Sequence, residues 1–244
     1  MEKINLTAYN DPKNPISEAY RSIRTNLQFI GVDKEVKIVE VTSSVPNEGK
    51  STTIASLAIV MAQSGKKTLL VDCDFRNPTQ HKLFGLRNKG FSNCIATGGD
   101  FHEYIQRIDQ DNLDILTSGP VAPNPSEILM SKRMQEFLEE VRATYDYVLI
   151  DTPPIMPVTD AAVLSTRVDG IILIIESGGD KPELVQTAKE RLEKAGANIL
   201  GCILNKVPVT KSRYGSNHEY GYGYGYGYYY GGEHSENQDK ESVE

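Results

Sequence analysis

The chain alternates short apolar runs with longer stretches of helical periodicity. Ile16, Tyr20, Ile23, Leu27 and Ile30 recur at spacings of four, three, four and three, one stripe of a helix over 15–30. Asn14-Pro15 supplies a start signal, with Asn as cap and Pro in the first helical position. Nearly unbroken apolar runs at 37–42, 68–72, 147–151, 170–176 and 199–205 read as strands covered on both faces, with a further strand at 112–116. Between them fall helices at 51–64, 131–144, 159–166 and 181–195, two of them stopped by Gly65 and Gly196. This alternation predicts an α/β fold, a doubly wound parallel sheet with helices on both faces. Residues 1–14 are polar and are expected to form a flexible arm; residues 75–111, with Gly85, Gly90, Gly98 and Gly99, are expected to hold short irregular helices.

In such a sheet, ligands lie beyond the carboxyl ends of the strands, and the polar residues that follow the apolar runs become candidates. After the first strand comes Thr42-Ser43-Ser44-Val45-Pro46-Asn47-Glu48-Gly49-Lys50-Ser51-Thr52, which reads as a phosphate-binding loop entering a helix. The backbone amides of Asn47 to Ser51 would face phosphate oxygens, Lys50 would reach the β- and γ-phosphates, and Ser51 would ligate Mg²⁺. Asn47, Glu48, Gly49, Lys50, Ser51 and Thr52 are thus the nucleotide-binding candidates. Ser44 stands where the usual pattern has its first glycine, and Asn47 is expected to supply a left-handed turn.

Two further strands end in acid. Asp72 and Asp74 follow Leu69-Leu70-Val71; Asp151 follows Val148-Leu149-Ile150 and precedes Thr152-Pro153-Pro154. Any one of them alone reads as a turn former. Together with Gly-Lys-Ser they make a three-part signal for phosphoryl chemistry, since Mg²⁺ takes hard oxygen ligands and a second carboxylate can accept a hydroxyl proton. Arg76 reads equally as a surface ion pair or as a group steadying transferred phosphate. Asn205, at the end of the last strand, reads as a turn residue or as a partner for adenine. Glu18 and Arg21, with Arg24 nearby, read as an intrahelical ion pair or as an intersubunit motif.

Charge and cysteine usage narrow the partners. The formal charge is -7, and much of the excess sits in Glu233, Glu236, Asp239, Glu241 and Glu244, against Lys240 alone at that end. A mildly acidic body does not favour nucleic acid. Three scattered cysteines (Cys73, Cys94, Cys202) show neither zinc nor redox spacing and fit a reducing cytosol. The N-terminal stretch is polar and no apolar run spans a membrane, so a cytoplasmic location is expected, with any membrane attachment made through a partner. After Lys206 the composition changes. Tyr214, Tyr220, Tyr222, Tyr224, Tyr226, Tyr228, Tyr229 and Tyr230 are mostly separated by glycine. This tail reads as a disordered low-complexity linker or as a set of phosphoacceptors. It leaves the sheet edge that carries the loop, with a flexible reach of roughly 27 Å.

TSSVPNEGKST, LLVDCDFRNP, VLIDTPP and the tyrosine cluster together resemble the bacterial tyrosine kinases of capsule and exopolysaccharide synthesis, in their Gram-positive form as a separate kinase chain within the deviant P-loop ATPases. The resemblance covers Glu18 to the tail. It implies an ATP- and Mg²⁺-dependent kinase domain at 15–210, with 15–30 as an oligomerisation helix, and an autophosphorylation tail at 211–244. EAYRSIRTNL resembles the family's ring-forming motif at Glu18, Arg21 and Arg24. Lys50 and Ser51 would carry phosphate and metal roles. Asp72 and Asp74 would assist the metal and activate tyrosine, Asp151 would support the metal, and Arg76 belongs to the same signature. The implied partners are other copies in a ring, the cytoplasmic segment of a membrane-spanning polysaccharide co-polymerase, and a cognate tyrosine phosphatase. The family usually has Gly at the position of Asn47. The ParA/MinD ATPases, the nearest alternative, carry a signature lysine early in the loop, and Ser44-Val45 offers none.

Overall fold

The computed structural model describes residues 4–32, 35–179 and 181–208. Its elements, in chain order, are α1 (Thr7–Asn10), α2 (Pro15–Ile30), β1 (Ile38–Ser43), α3 (Lys50–Gln63), β2 (Thr68–Asp72), α4 (Gln80–Phe84), α5 (Phe91–Thr97), a 3₁₀ turn (Phe101–Tyr104), β3 (Gln106–Arg107), β4 (Leu113–Leu116), α6 (Pro125–Met130), α7 (Lys132–Thr144), β5 (Tyr147–Asp151), α8 (Asp160–Ser165), β6 (Gly170–Glu176), α9 (Pro182–Ala195) and β7 (Ile199–Asn205). The strands form one sheet in the order β3-β4-β2-β5-β1-β6-β7. All pairings are parallel except that of the short edge strand β3.

One face of the sheet packs Val39, Val41, Leu70, Leu113, Ile115, Leu149, Ile172 and Ile174 against α3. α3 is covered in turn by α1 and α2, so nearly every side chain from Thr53 to Ala62 is buried. A helix apolar on all sides requires such a cover. The other face sets Ile38, Leu69, Val71, Val148 and Ile150 against Phe137, Leu138 and Val141 of α7, and Ile171 and Leu173 against Ala188 and Leu192 of α9. Asn14 caps α2 by accepting from the Ile16 amide at 3.0 Å, as the Asn-Pro signal predicts.

The expected flexible arm is corrected in its described part. Leu6 and Ala8 are buried, the Asn5 amide donates to the Leu83 carbonyl, and Gln63 donates to the Ala8 carbonyl. Ile4, Leu6 and Ala8 are too few to register as a periodic element, yet they find apolar cover over α3. The irregular region around Phe75–Asp111 is ordered by aromatic packing. Phe91 and Phe101 meet Phe137 at centroid distances of 4.7 and 4.9 Å. The tail tyrosines lie outside the described residues.

At the amino end of the sheet, Asp169 ties three elements together. Arg142 grips it through two hydrogen bonds of 2.9 and 2.8 Å, and the Lys37 and Ile38 amides donate to Oδ2. Burial pushes this carboxyl up, but Arg142 and the two amides outweigh burial and hold it below the usual carboxylate range. A depressed folded pKa adds stability above the unfolded value, and that stability fades as pH falls through the folded value. Asp169→Asn should therefore cost about 2 kcal/mol at pH 7 by urea unfolding, and the gap to wild type should narrow as pH falls through and below the ordinary carboxylate range.

Candidate active site

The loop after β1 has the backbone that a phosphate cradle needs. Asn47 has φ 71° and Gly49 φ 90°, so left-handed residues alternate with others and turn successive amides inward. Asn47 supplies the left-handed turn expected of it. At Gly49 a Cβ would collide with the Asn205 side-chain amide. That amide donates to the Glu48 carbonyl at 2.8 Å, and Lys206 Nζ donates to the Asn47 carbonyl at 2.7 Å and pairs with Glu176 at 2.8 Å. The Glu48 carboxylate accepts from the Val45 amide at 2.8 Å and the Glu176 amide at 3.3 Å. The loop is thus pinned to the ends of β6 and β7. The Asn205 side chain reaches the backbone of the loop, and the side chain of Glu48 serves as a staple. Thr52 follows on α3 with its side chain exposed.

Strand register brings the acids together. In parallel pairing Asp72 lies beside Asp151, and Asp151 beside Val41, so both carboxylates end neighbouring strands at one level. Lys50, at the first turn of α3, projects into them. Its ammonium lies 3.0 Å from Asp74 Oδ2, 3.2 Å from Ser51 Oγ and 3.4 Å from Asp151 Oδ1. Lys50, Ser51, Asp72, Asp74 and Asp151 are all essentially buried. Burial alone would lower the lysine pKa, but Asp151, Asp74 and Asp72 raise it above its ordinary value, which keeps the ammonium charged. Asp72 is pushed upward by burial and by the charge of Asp151, opposed by hydrogen bonds from the Gln80 and Thr79 amides. Its Oδ2 accepts both of those amides at 3.0 Å and its Oδ1 accepts the Asp74 amide at 3.2 Å.

The donor set suits Mg²⁺: a hydroxyl and carboxylates already converge on one cation, the Lys50 ammonium. Among the described residues no group of three or more His, Cys, Asp or Glu is arranged to hold a metal by itself. Mg²⁺ takes one or two carboxylates and keeps waters and substrate phosphates.

Other candidates lie apart. Arg76 turns from the strand-end acids and forms a two-bond pair with the buried Asp160 of α8 at 2.8 and 3.1 Å. Glu18 and Arg21 pair within α2 at 2.7 Å, and Arg24 donates to the Val60 carbonyl of α3 at 3.1 Å. Tyr214 through Tyr230 fall outside the described residues.

Sequence reasoning passed over Gln80, Lys206 and Glu40. Gln80 sits in the irregular stretch and carries no motif. Lys206 only continues a strand end. Glu40 is a charged residue inside β1, fully buried, with its carboxyl pushed well up by burial. Thr152 Oγ1 donates toward Glu40 Oε1 at 2.8 Å and toward the Val41 carbonyl at 3.0 Å, tying β1 to the residue after Asp151. A glutamate interrupting an apolar run is the one sequence signal that would have found it.

The loop geometry carries a test. Asn47→Gly should change stability by less than about 0.5 kcal/mol, whereas Asn47→Ala should lose about 1 kcal/mol in chemical unfolding, because alanine tolerates the left-handed region poorly.

Comparison with known proteins finds close relatives. A family model described as AAA domain matches residues 36–179. Tyrosine-protein kinase YwqD of Bacillus subtilis is 46% identical over 213 residues, covering 86% of this chain and 90% of the relative. The crystal structure of the chimerical protein CapA2B2 superposes with TM-score 0.80 at 40% identity, covering 83% of this chain and 90% of the other. The kinase domain of the Escherichia coli tyrosine kinase ETK gives TM-score 0.82 at 37% identity over 91% of this chain and 86% of the other. The chain belongs to the family of bacterial tyrosine kinases built on the P-loop fold.

Proposed function

We propose that the chain is an ATP-dependent protein-tyrosine autokinase that transfers the γ-phosphate to Tyr214, Tyr220, Tyr222, Tyr224, Tyr226, Tyr228, Tyr229 and Tyr230 of its C-terminal segment, acting in trans within a ring. The observation that carries this reading is the Lys50 ammonium held among Ser51, Asp74 and Asp151 at the mouth of a left-handed phosphate loop. With nucleotide present, Lys50 would move to the β- and γ-phosphates, which releases Asp74 Oδ2. The tyrosine oxygen would form its bond to the γ-phosphorus as the bond to the β-phosphate oxygen breaks. The phenolic proton would pass to Asp74, and ADP would leave with the bonding pair. Ser51 and Asp151 would hold Mg²⁺ directly, with Asp72 behind them. When bound, the metal supplies charge neutralisation of the β- and γ-phosphates. Arg76 acts through its pair with Asp160, shaping the segment after β2.

Ring formation through Glu18, Arg21 and Arg24 rests on the resemblance of α2 to the family motif. So do activation by the cytoplasmic segment of a membrane-spanning polysaccharide co-polymerase, reversal by a tyrosine phosphatase, and control of capsular or exopolysaccharide synthesis. Among the described residues no helix is long and apolar enough to cross a membrane, and the proposed attachment is peripheral, through that partner.

The test is a phosphosite map by mass spectrometry of the full chain with ATP and Mg²⁺, with and without the partner's cytoplasmic fragment. Phosphate is expected on the Tyr214–Tyr230 segment, and Lys50→Met should lower it about 100-fold. ATP hydrolysis with no phosphate on those tyrosines would sink the autokinase reading in favour of a ParA/MinD-like switch.

A further inference from the structure

Gln80 opens α4 and is fully buried. Its side-chain nitrogen donates to Asp151 Oδ2 at 2.7 Å and to the Ser51 carbonyl at 3.1 Å. Both neighbours are acceptors, so the amide has one orientation. Turning it over would set Oε1 against two oxygens. As placed, Oε1 is buried with no hydrogen-bond partner among the described residues. A side chain present only to fill this space would do better without an unpaired acceptor, which is costly to bury.

The residue is also held in place from behind. Asp72 Oδ2 accepts the Gln80 amide at 3.0 Å, so the end of β2 fixes where α4 begins. A continuous path of hydrogen bonds therefore runs from Asp72 through Gln80 to both Asp151 and Ser51. Asp151 is gripped on two sides, with Oδ2 on Gln80 and Oδ1 toward Lys50.

We propose that Gln80 is a positioning residue for the divalent metal: by engaging Asp151 Oδ2 and the Ser51 carbonyl, it presents Asp151 Oδ1 and the Ser51 hydroxyl together as one metal-binding edge. This inference rests on the nucleotide-site reading given above but not on which hydroxyl receives phosphate. Partners of this kind, one bond removed from a metal, commonly alter its affinity by 10- to 100-fold.

The experiment measures ADP affinity of the full chain by calorimetry, in excess EDTA and in excess Mg²⁺. The ratio of the two constants is the metal linkage. Gln80→Met keeps the volume without a donor, and Gln80→Asn keeps the amide but withdraws it. In either variant the EDTA affinity should stay within about twofold of wild type while the linkage falls about tenfold. Mn²⁺ affinity in the presence of ADP, read from the electron paramagnetic resonance signal of free Mn²⁺, should fall by a similar factor. A folded variant that retains the wild-type linkage overturns the proposal. Equal losses in EDTA and Mg²⁺ also overturn it, as does failure of both variants to fold without nucleotide, which would make Gln80 a packing residue. A wild-type chain whose ADP affinity ignores Mg²⁺ removes the metal site and the proposal together. Loss of linkage in the variants alongside an unphosphorylated wild-type tail upholds the role of Gln80 while removing the kinase reading.

Discussion

The buried ammonium of Lys50 is the interaction on which the site depends. Asp72, Asp74 and Asp151 end neighbouring strands or follow them closely, in a place with almost no solvent. Carboxylates so placed would repel one another and pick up protons unless a cation lay among them. Lys50 is that cation, and it comes from the loop that would bind phosphate. Its charge balances the acids, and under the proposed function nucleotide with its metal would take over that balance. The arrangement makes the loop, β2 and β5 electrostatically interdependent.

The loop is also fixed mechanically from the other side. Asn205 and Lys206 hold the carbonyls of Glu48 and Asn47, and the Glu48 carboxylate holds Val45 and Glu176. With one glycine where phosphate loops commonly have more, such bonds replace backbone freedom with enforced shape. Asn47 fits this scheme: it tolerates a left-handed φ while offering a carbonyl to Lys206. A loop held this way would need little reordering to take phosphate, which would lower the ordering cost of binding.

Much of the fold was legible because each strand except the two-residue edge strand β3 (Gln106–Arg107) is a short, mostly apolar run and each major helix has a clear stripe or stop. Asn14-Pro15 marked the start of α2, and Gly65 and Gly196 marked the ends of α3 and α9. The short α1 escaped because Leu6 and Ala8 are apolar without periodicity, and their burial depends on a surface that α2 and α3 provide. Residues 75–111 escaped for a related reason: their order comes from contacts between Phe75, Phe91, Phe101 and Phe137, far apart in the chain. In the site, Gly-Lys-Ser and the strand-end acids could be read because their chemistry is tied to local spacing. Gln80 could not, because its role comes from two partners, Ser51 and Asp151, that lie 29 and 71 positions away.

By itself the sequence determined the parallel α/β architecture, the phosphate loop and the acids that face it, since apolar periodicity and motif spacing are local properties of the chain. The tertiary structure decided which of those acids touch Lys50, that Asp72 is engaged by the amides that open α4, and that Arg76 pairs with Asp160. Those choices follow from strand register and from the packing of α4 and α8 over the sheet edge. Register is set by the whole buried face at once, so it cannot be read from any one segment.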